Sequence, residues 1–157
     1  MATFGTFVSG QVLTAAELNT AGEWQSYTPT FTQSATITKT VNWARYTQLG
    51  KWVQGSIKMT ATGAGTVSNI IKVGLPVSAS ANNFMMGSGV VVDESATPDG
   101  VWPLLAVFDS ATTLSFFWTG LSGGTDAAAR FGQVNSGSSA AIASNDIIYV
   151  NFVYEAS

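Results

Sequence analysis

The sequence predicts an all-β domain, an antiparallel sandwich of jelly-roll type, with a Greek-key barrel as the alternative. Three observations predict this fold class. From residue 24 onward, short runs rich in Val, Ile, Thr, Phe and Trp alternate with Gly, Asn, Asp and Ser, which is the pattern of strands and turns. The one clear helix signal lies ahead of residue 24. The 157 residues suit a single domain that needs no disulfide to hold its core.

The helix signal begins at Thr14. Residues 14–17 read Thr-Ala-Ala-Glu, a capping box, and Leu13 and Leu18 occupy the two positions of a hydrophobic staple. The predicted helix is about two turns long, which is marginal in isolation. We therefore expect it to dock, either on its own domain or on a partner subunit. Two apolar side chains without local cover precede it, Phe4 and Phe7.

Residues 51–61 carry the clearest strand signal, with Val53, Ile57 and Met59 on one face and polar side chains on the other. Residues 147–154 are apolar on both faces, which predicts a strand covered on two sides. Turns are expected around Asp109 and at Asn145. The other predicted strands are 27–32, 35–41, 43–48, 70–75, 84–92, 101–108 and 114–119, with a short one near 131–134.

Apolar surface predicts self-association. Phe116, Phe117 and Trp118 are consecutive, so both faces of their strand carry aromatic side chains. Large apolar patches mark protein contacts, and only 10% of the residues are charged to keep copies apart. We expect an obligate homo-oligomer with these three residues at the interface. The alternative is that one compact chain buries all of this surface.

Composition excludes several function classes. The net charge is −3 with six basic residues, which does not suit a nucleic-acid partner. Absence of His and Cys excludes thiolate nucleophiles, Ser-His-Asp triads and zinc fingers. No apolar run approaches the ~20 residues of a membrane span, so no membrane insertion is expected. We predict no enzyme activity, no catalytic residues, no cofactor and no metal.

Two features leave alternatives open. Asp93, Glu94 and Asp99 form the one acidic cluster, which is read as a solvated loop but would also suit glycoside hydrolysis or Ca²⁺. Tryptophans are frequent, and core or interface positions are favoured over platforms that stack on sugars. The five tryptophans are Trp24, Trp43, Trp52, Trp102 and Trp118.

Three stretches together resemble the structural proteins of tailed-bacteriophage particles. Residues 10–19 read GQVLTAAELN and are similar to the "G-x-V-L-T-A-x-x-L/M-N" opening of many such proteins. Residues 24–32 read WQSYTPTFT and resemble the "W-x-x-Y-T-P-T" that follows it. Residues 46–53 read YTQLGKWV and look like the "Y-x-x-x-G-K-x-V" strand.

This resemblance implies a virion appendage, often trimeric, assembled in the host cytoplasm. Residues 1–23 would then attach the chain to other proteins of the tail or capsid, and residues 24–157 would form the exposed oligomeric domain. No long shaft is present, which favours a small tail fibre or knob, a head fibre, or a capsid decoration protein. A host-surface glycan is a further candidate partner. The alternative functions are a carbohydrate-binding module and a glycan-cleaving enzyme. The anchor residues are Phe4, Phe7, Leu13, Thr14, Leu18, Asn19, Trp24 and Tyr27.

Overall fold

A computed structural model describes residues 9–10, 12, 14–15, 22–66, 69–94, 100–119, 131–133 and 142–157. Within these ranges the chain forms eleven strands and no helical element. The strands are β1 (Gln25–Ser26), β2 (Phe31–Gln33), β3 (Ala35–Thr36), β4 (Lys39–Leu49), β5 (Trp52–Ala61), β6 (Ile71–Gly74), β7 (Met85–Asp93), β8 (Gly100–Ser110), β9 (Thr113–Thr119), β10 (Phe131–Gln133) and β11 (Ile147–Glu155).

All strands belong to one curled antiparallel sheet. Their order is β1-β4-β5-β11-β7-β8-β9-β6-β2-β3, and β10 pairs with β9 beside this path. The run β11-β7-β8-β9 has the order of a Greek key, because three strands joined in succession are followed by a fourth that returns beside the first. The prediction of an all-β antiparallel domain is confirmed.

One segment of chain lies near both ends of the strand path, because it contains β3, the last strand of the path, and β4, which is next to β1 at its start. Only residues 37–38 separate β3 from β4, and both hydrogen bond across the junction. Ile37 N donates to Phe31 O at 2.8 Å, and Thr62 N donates to Thr38 O at 2.8 Å. The segment 35–49 therefore pairs first with β2 and then with β5. Because one continuous segment pairs with both β2 and β5, the sheet curls around a single core.

Strict alternation places the core on one face of the sheet. Along β5, Val53, Ile57 and Met59 are buried as predicted, and the same holds for the inward side chains of β11. Each large side chain that is fully buried contributes about 1.5–3 kcal/mol. The largest are Phe31, Ile37, Ile57, Met59, Ile71, Met86, Leu104, Leu114, Phe116 and Ile148.

One polar side chain, Gln33, sits in this core. Its Nε2 donates to Asn69 O at 3.0 Å, and its Oε1 accepts from Ile142 N at 3.3 Å. Gly65 packs against the amide, because a Cβ at that position would lie 1.8 Å from Gln33 Oε1. Gln33 therefore joins two loops that are distant in sequence and leaves no buried amide unpaired.

Several predicted elements differ from the structure. The predicted strand 27–32 is wrong in extent, because the strands are 25–26 and 31–33, and the break between them contains Pro29, which has no N–H for a ladder. Among the described residues, the outer face of β11 is open at Val153, which is 43% exposed. The predicted helix lies almost entirely outside the described residues. The turn predicted at Asn145 is confirmed, whereas the hairpin predicted around Asp109 has its turn at residues 111–112, with Asp109 still in β8.

Within the described ranges, no helix has the length and apolar character of a membrane span.

Candidate binding surface

Most predicted anchor residues lie outside the part of the chain that the structure describes. This applies to Phe4, Phe7, Leu13, Leu18 and Asn19. Thr14 is described and is exposed. The last two members of the set, Trp24 and Tyr27, flank the short strand β1, so the predicted boundary at residue 23 falls just before the first strand.

The stretch from Trp24 to Tyr27 docks on β4. Gln25 pairs with Tyr46, and the Tyr46 hydroxyl donates to Gln25 Oε1 at 3.0 Å. The Arg45 guanidinium lies 4.9 Å from the centre of the Trp24 ring. Tyr27 N donates to Ala44 O at 3.0 Å. This stretch, which we term the N-terminal junction, is therefore joined to β4 by backbone, side-chain and cation–π contacts.

A β-bulge in β4 controls which side chains face outward. Val41 pairs with Met59 and Trp43 pairs with Lys58, which leaves Asn42 as an extra residue. Val41 faces the core, and simple alternation would send Trp43 inward as well. The extra residue reverses the alternation, so Trp43 and Arg45 face outward while Ala44 and Tyr46 are buried.

The bulge creates a row of aromatic and basic side chains on the outer face. Trp43, Lys58 and Tyr149 are neighbours on β4, β5 and β11. The rings of Trp43 and Tyr149 lie 6.0 Å apart, and Lys58 Nζ lies 5.3 Å and 4.8 Å from their centres. With the Trp24–Arg45 pair beside it, this row forms what we term the outer aromatic patch, defined by Trp24, Trp43, Arg45, Lys58 and Tyr149.

The patch remains open to solvent. Trp43 is 42% exposed although its Nε1 donates to Ser56 Oγ at 3.3 Å, and Trp24 is 46% exposed. A third tryptophan, Trp52, is 48% exposed at the far end of β5. These three tryptophans therefore do not lie in the core, and the other predicted position, an interface between subunits, stays a prediction for them, whereas Trp102 is partly buried against the core.

Among the described carboxylates, Glu23 is exposed and immediately precedes Trp24 of the patch, and the others lie elsewhere. Within the described ranges the one ion pair joins Lys72 Nζ and Asp109 Oδ2 at 2.9 Å, where Thr113 Oγ1 also donates to Asp109 Oδ2. Asp146 is buried and caps the turn before β11, since its Oδ2 accepts from Ala143 N. Asp93 and Glu94 lie at the end of β7, and Glu155 ends β11.

Phe116 and Phe117, which are both predicted to lie at the interface, face opposite sides of the sheet. Phe116 is fully buried in the core of the single chain, because it alternates inward on β9. Phe117 is partly buried, and its backbone pairs with Leu105. The Trp118 side chain lies outside the described residues. Among the described side chains of this set, Phe117 alone remains a candidate for an interface between subunits, and that role stays a prediction.

The residues of the predicted acidic cluster do not form a binding site among the described residues. Asp93 and Glu94 are consecutive on an extended chain, so their side chains diverge, and Asp99 lies outside the described residues. No group of three or more carboxylates within the described ranges is placed to share a metal.

A cluster of tyrosines lies beneath the N-terminal junction. Tyr27 and Tyr46 meet edge to face at 5.7 Å. Burial raises the pKa of Tyr154 to about 12, the Val77 N–H lowers it, and Tyr46 raises it. Burial also raises the pKa of Tyr27, with Tyr154 adding to the effect. These hydroxyls stay neutral at physiological pH, so the cluster is a structural support for the junction.

Sequence reasoning missed Lys58, Arg45 and Tyr149 as a group. They lie on three strands that are far apart in the chain, and no local motif links them. The one available signal is the polar face of residues 51–61, which contains Lys58 but does not identify its neighbours.

Comparison of the chain with protein-family models, with curated proteins and with solved structures found no match.

Proposed function

We propose that the chain is a structural protein of a tailed-bacteriophage particle, a small oligomeric appendage attached by residues 1–23. A trimer is favoured, as a tail fibre or knob or as a head fibre. A capsid decoration protein that stabilises the shell is the alternative position. The proposal assigns no catalytic step, and the protein acts by attachment and contact.

One observation carries the proposal: two of the sequence stretches that resemble phage proteins meet in space. Trp24 and Gln25 belong to one stretch, and Tyr46 belongs to the other. They are joined by the β1–β4 pairing and by the Tyr46–Gln25 hydrogen bond, and Arg45 extends the contact onto Trp24. Residues that share a structural task are expected to touch, and here they join the stretch that follows residue 23 to β4.

The strand order supports a jelly-roll-like sandwich as the fold within this proposal. Within the single curled sheet, the run β11-β7-β8-β9 has Greek-key order, which is the connection that a jelly roll uses. Jelly rolls of this kind occur in viral capsid and lectin domains, so the fold is compatible with virion attachment and with glycan contact.

Location in the particle tests the proposal. The tagged chain is expressed from the genome of a phage that encodes it, and particles are purified on a density gradient. We expect the chain to co-sediment with intact particles. The number of copies per particle then distinguishes an appendage from a decoration protein. Its absence from particles, with normal expression in the same cells, would refute the proposal.

Glycan binding is a second candidate function, favoured by the outer aromatic patch. Exposed Trp and Tyr beside polar side chains suit contact with sugar rings, because each ring presents an apolar face and a polar edge. This function is compatible with virion attachment and does not require it.

A further inference from the structure

We propose that the outer aromatic patch binds an acidic polysaccharide, with Lys58 and Arg45 pairing with its carboxylates and Trp43 contacting its rings. The inference deepens the second candidate function, glycan binding, and is independent of virion attachment. It names both the site and the chemical class of the ligand.

The first argument is the position of Lys58. Its ammonium lies over two aromatic rings, at 5.3 Å from Trp43 and 4.8 Å from Tyr149, and it forms no ion pair with a carboxylate of the described residues. Two ring contacts restrict the side chain before any ligand arrives. A cation held in one place with its charge uncompensated is suited to pair with an anion, since little conformational entropy remains to be lost.

The second argument is charge complementarity. Arg45 pairs in register with Ser56 on β5, and Lys58 lies two residues further along β5 on the same outward face. The Cβ atoms of Arg45 and Lys58 are therefore about 7–8 Å apart. Glu155 is six residues from Tyr149 along β11, about 20 Å away. A chain with net charge −3 thus presents two cations on one face of the sheet, where the described carboxylate nearest in sequence to a patch residue is the exposed Glu23, next to Trp24.

The third argument concerns the polar side chains around the cations. Ser56, Asn151 and Ser88 lie side by side on β5, β11 and β7 and continue the row that begins at Arg45. Asn151 and Ser88 are exposed. Hydroxyl and amide groups beside exposed rings match the hydroxyls of a glycan. A nucleic acid carries a charge at every nucleotide and needs a longer basic track than two side chains.

Binding is tested with the purified full chain by affinity electrophoresis and by tryptophan fluorescence. The probes are polygalacturonate, hyaluronan and polysialic acid, with fully methyl-esterified polygalacturonate and dextran as neutral controls. The ester keeps the rings of polygalacturonate and removes its charge. We expect at least one acidic polymer to bind and both neutral polymers to bind at least 10-fold more weakly, about 1.4 kcal/mol per site.

Matched variants locate the site. Lys58→Met keeps the side-chain length and removes the charge, and Trp43→Ala removes the ring. Each should weaken binding at least 10-fold, whereas Lys58→Arg should retain it. Lys51→Met and Trp52→Ala change an exposed lysine and an exposed tryptophan outside the patch, and they should bind as the unchanged chain does. Thermal melts confirm that all five variants are folded.

Four outcomes would overturn the inference. These are no binding to any acidic polymer, equal binding of the neutral ester, unchanged binding by folded Lys58→Met, and tighter binding to single-stranded DNA than to any glycan. Sedimentation of Trp43→Ala adds a fifth: a smaller oligomer than that of the unchanged chain would assign the patch to contacts between copies. None of these measurements depends on a virus particle, so failure here leaves the proposed virion role standing.

Discussion

Phe152 occupies the space that glycine leaves at position 55 on the neighbouring strand. The two residues are paired in register, and a Cβ on Gly55 would lie 2.1 Å from the end of the Phe152 ring. Glycine is needed here for space, since its backbone is ordinary extended strand. The inward position at residue 55 on β5 is therefore filled by a side chain from the neighbouring strand β11.

Gly55→Ala should therefore destabilise the fold by about 1–3 kcal/mol, because the ring must leave its place in the core. Urea unfolding measures the change. Phe152→Leu in the Gly55→Ala background should recover part of the loss, which a double-mutant cycle detects as coupling between the two sites. An unchanged midpoint for Gly55→Ala would show that the ring moves freely.

The two raised tyrosine pKa values predict alkaline sensitivity. A tyrosine whose pKa is higher in the folded state than the usual 10 stabilises the fold fully below pH 10, and this contribution is lost as the pH rises towards the folded value. For Tyr154 the folded pKa is about 12, so the free energy of unfolding should fall between pH 10 and 12. Urea unfolding across this range measures the slope.

Tyr27→Phe and Tyr154→Phe should behave differently at pH 7. The Tyr27 hydroxyl has no hydrogen-bond partner within the described ranges, so its removal should leave stability unchanged or raise it. The Tyr154 hydroxyl donates to Val77 O at 2.7 Å, and its loss should destabilise by about 1 kcal/mol. Both variants should flatten the decline above pH 10, and a decline of full size in the double variant would contradict the assignment.

At the scale of elements, the β-bulge at Asn42 determines the outer surface. Without the extra residue, Ile37 and Val41 could not face the core while Trp43 and Arg45 face solvent. A one-residue shift in a strand moves every side chain to the opposite face. The patch is therefore a consequence of backbone register as much as of the side chains that compose it.

Deleting Asn42 should destabilise the domain by at least about 2 kcal/mol, since either the Ile37–Val41 part turns outward or Trp43 and Arg45 turn inward. Thermal unfolding measures the loss. Asn42→Ala is the matched control: it keeps the bulge and removes the exposed bond from Thr60 Oγ1, which should change stability by only about 0.5 kcal/mol. Equal effects of the two changes would argue against the bulge.

Elements with regular alternation could be predicted from the sequence, and the irregular ones could not. The strand 51–61 alternates without a break, and its predicted faces are correct. In β4 the alternation reverses at Asn42, and no local signal marks the position. The hydrogen bonds of Ile37 and Thr38, which lie between β3 and β4, join residues 6 and 24 positions apart and depend on the assembled fold.

At the scale of the whole molecule, the fold class was predictable, whereas the binding surface was not. Composition and turn spacing indicate an antiparallel β domain independently of how the strands pair. The outer aromatic patch requires the order β4-β5-β11, which places residues 43, 58 and 149 side by side. Strand order depends on long-range pairing, so three scattered residues could not be recognised as one site.

The location of β1 predicts the effect of removing the anchor. Deletion of residues 1–23 leaves Trp24 and the β1–β4 pairing intact, so the truncated chain should keep the melting temperature and oligomeric state of the full chain while failing to join particles. Calorimetry, sedimentation and gradient-purified particles provide the three measurements. Truncated chains that still co-purify with particles, or that no longer fold, would contradict the assignment of residues 1–23 as an anchor.

The position of β11 has a consequence for how the protein is made. This strand lies in the middle of the sheet, between β5 and β7, although it is the last strand in the chain. Until the ribosome has released the residues up to Glu155, the nascent chain holds two half-sheets with facing unpaired edges. A stop codon even ten residues early would remove almost all of β11 and leave the edges of β5 and β7 unpaired. The expected product is insoluble material rather than a shortened working protein.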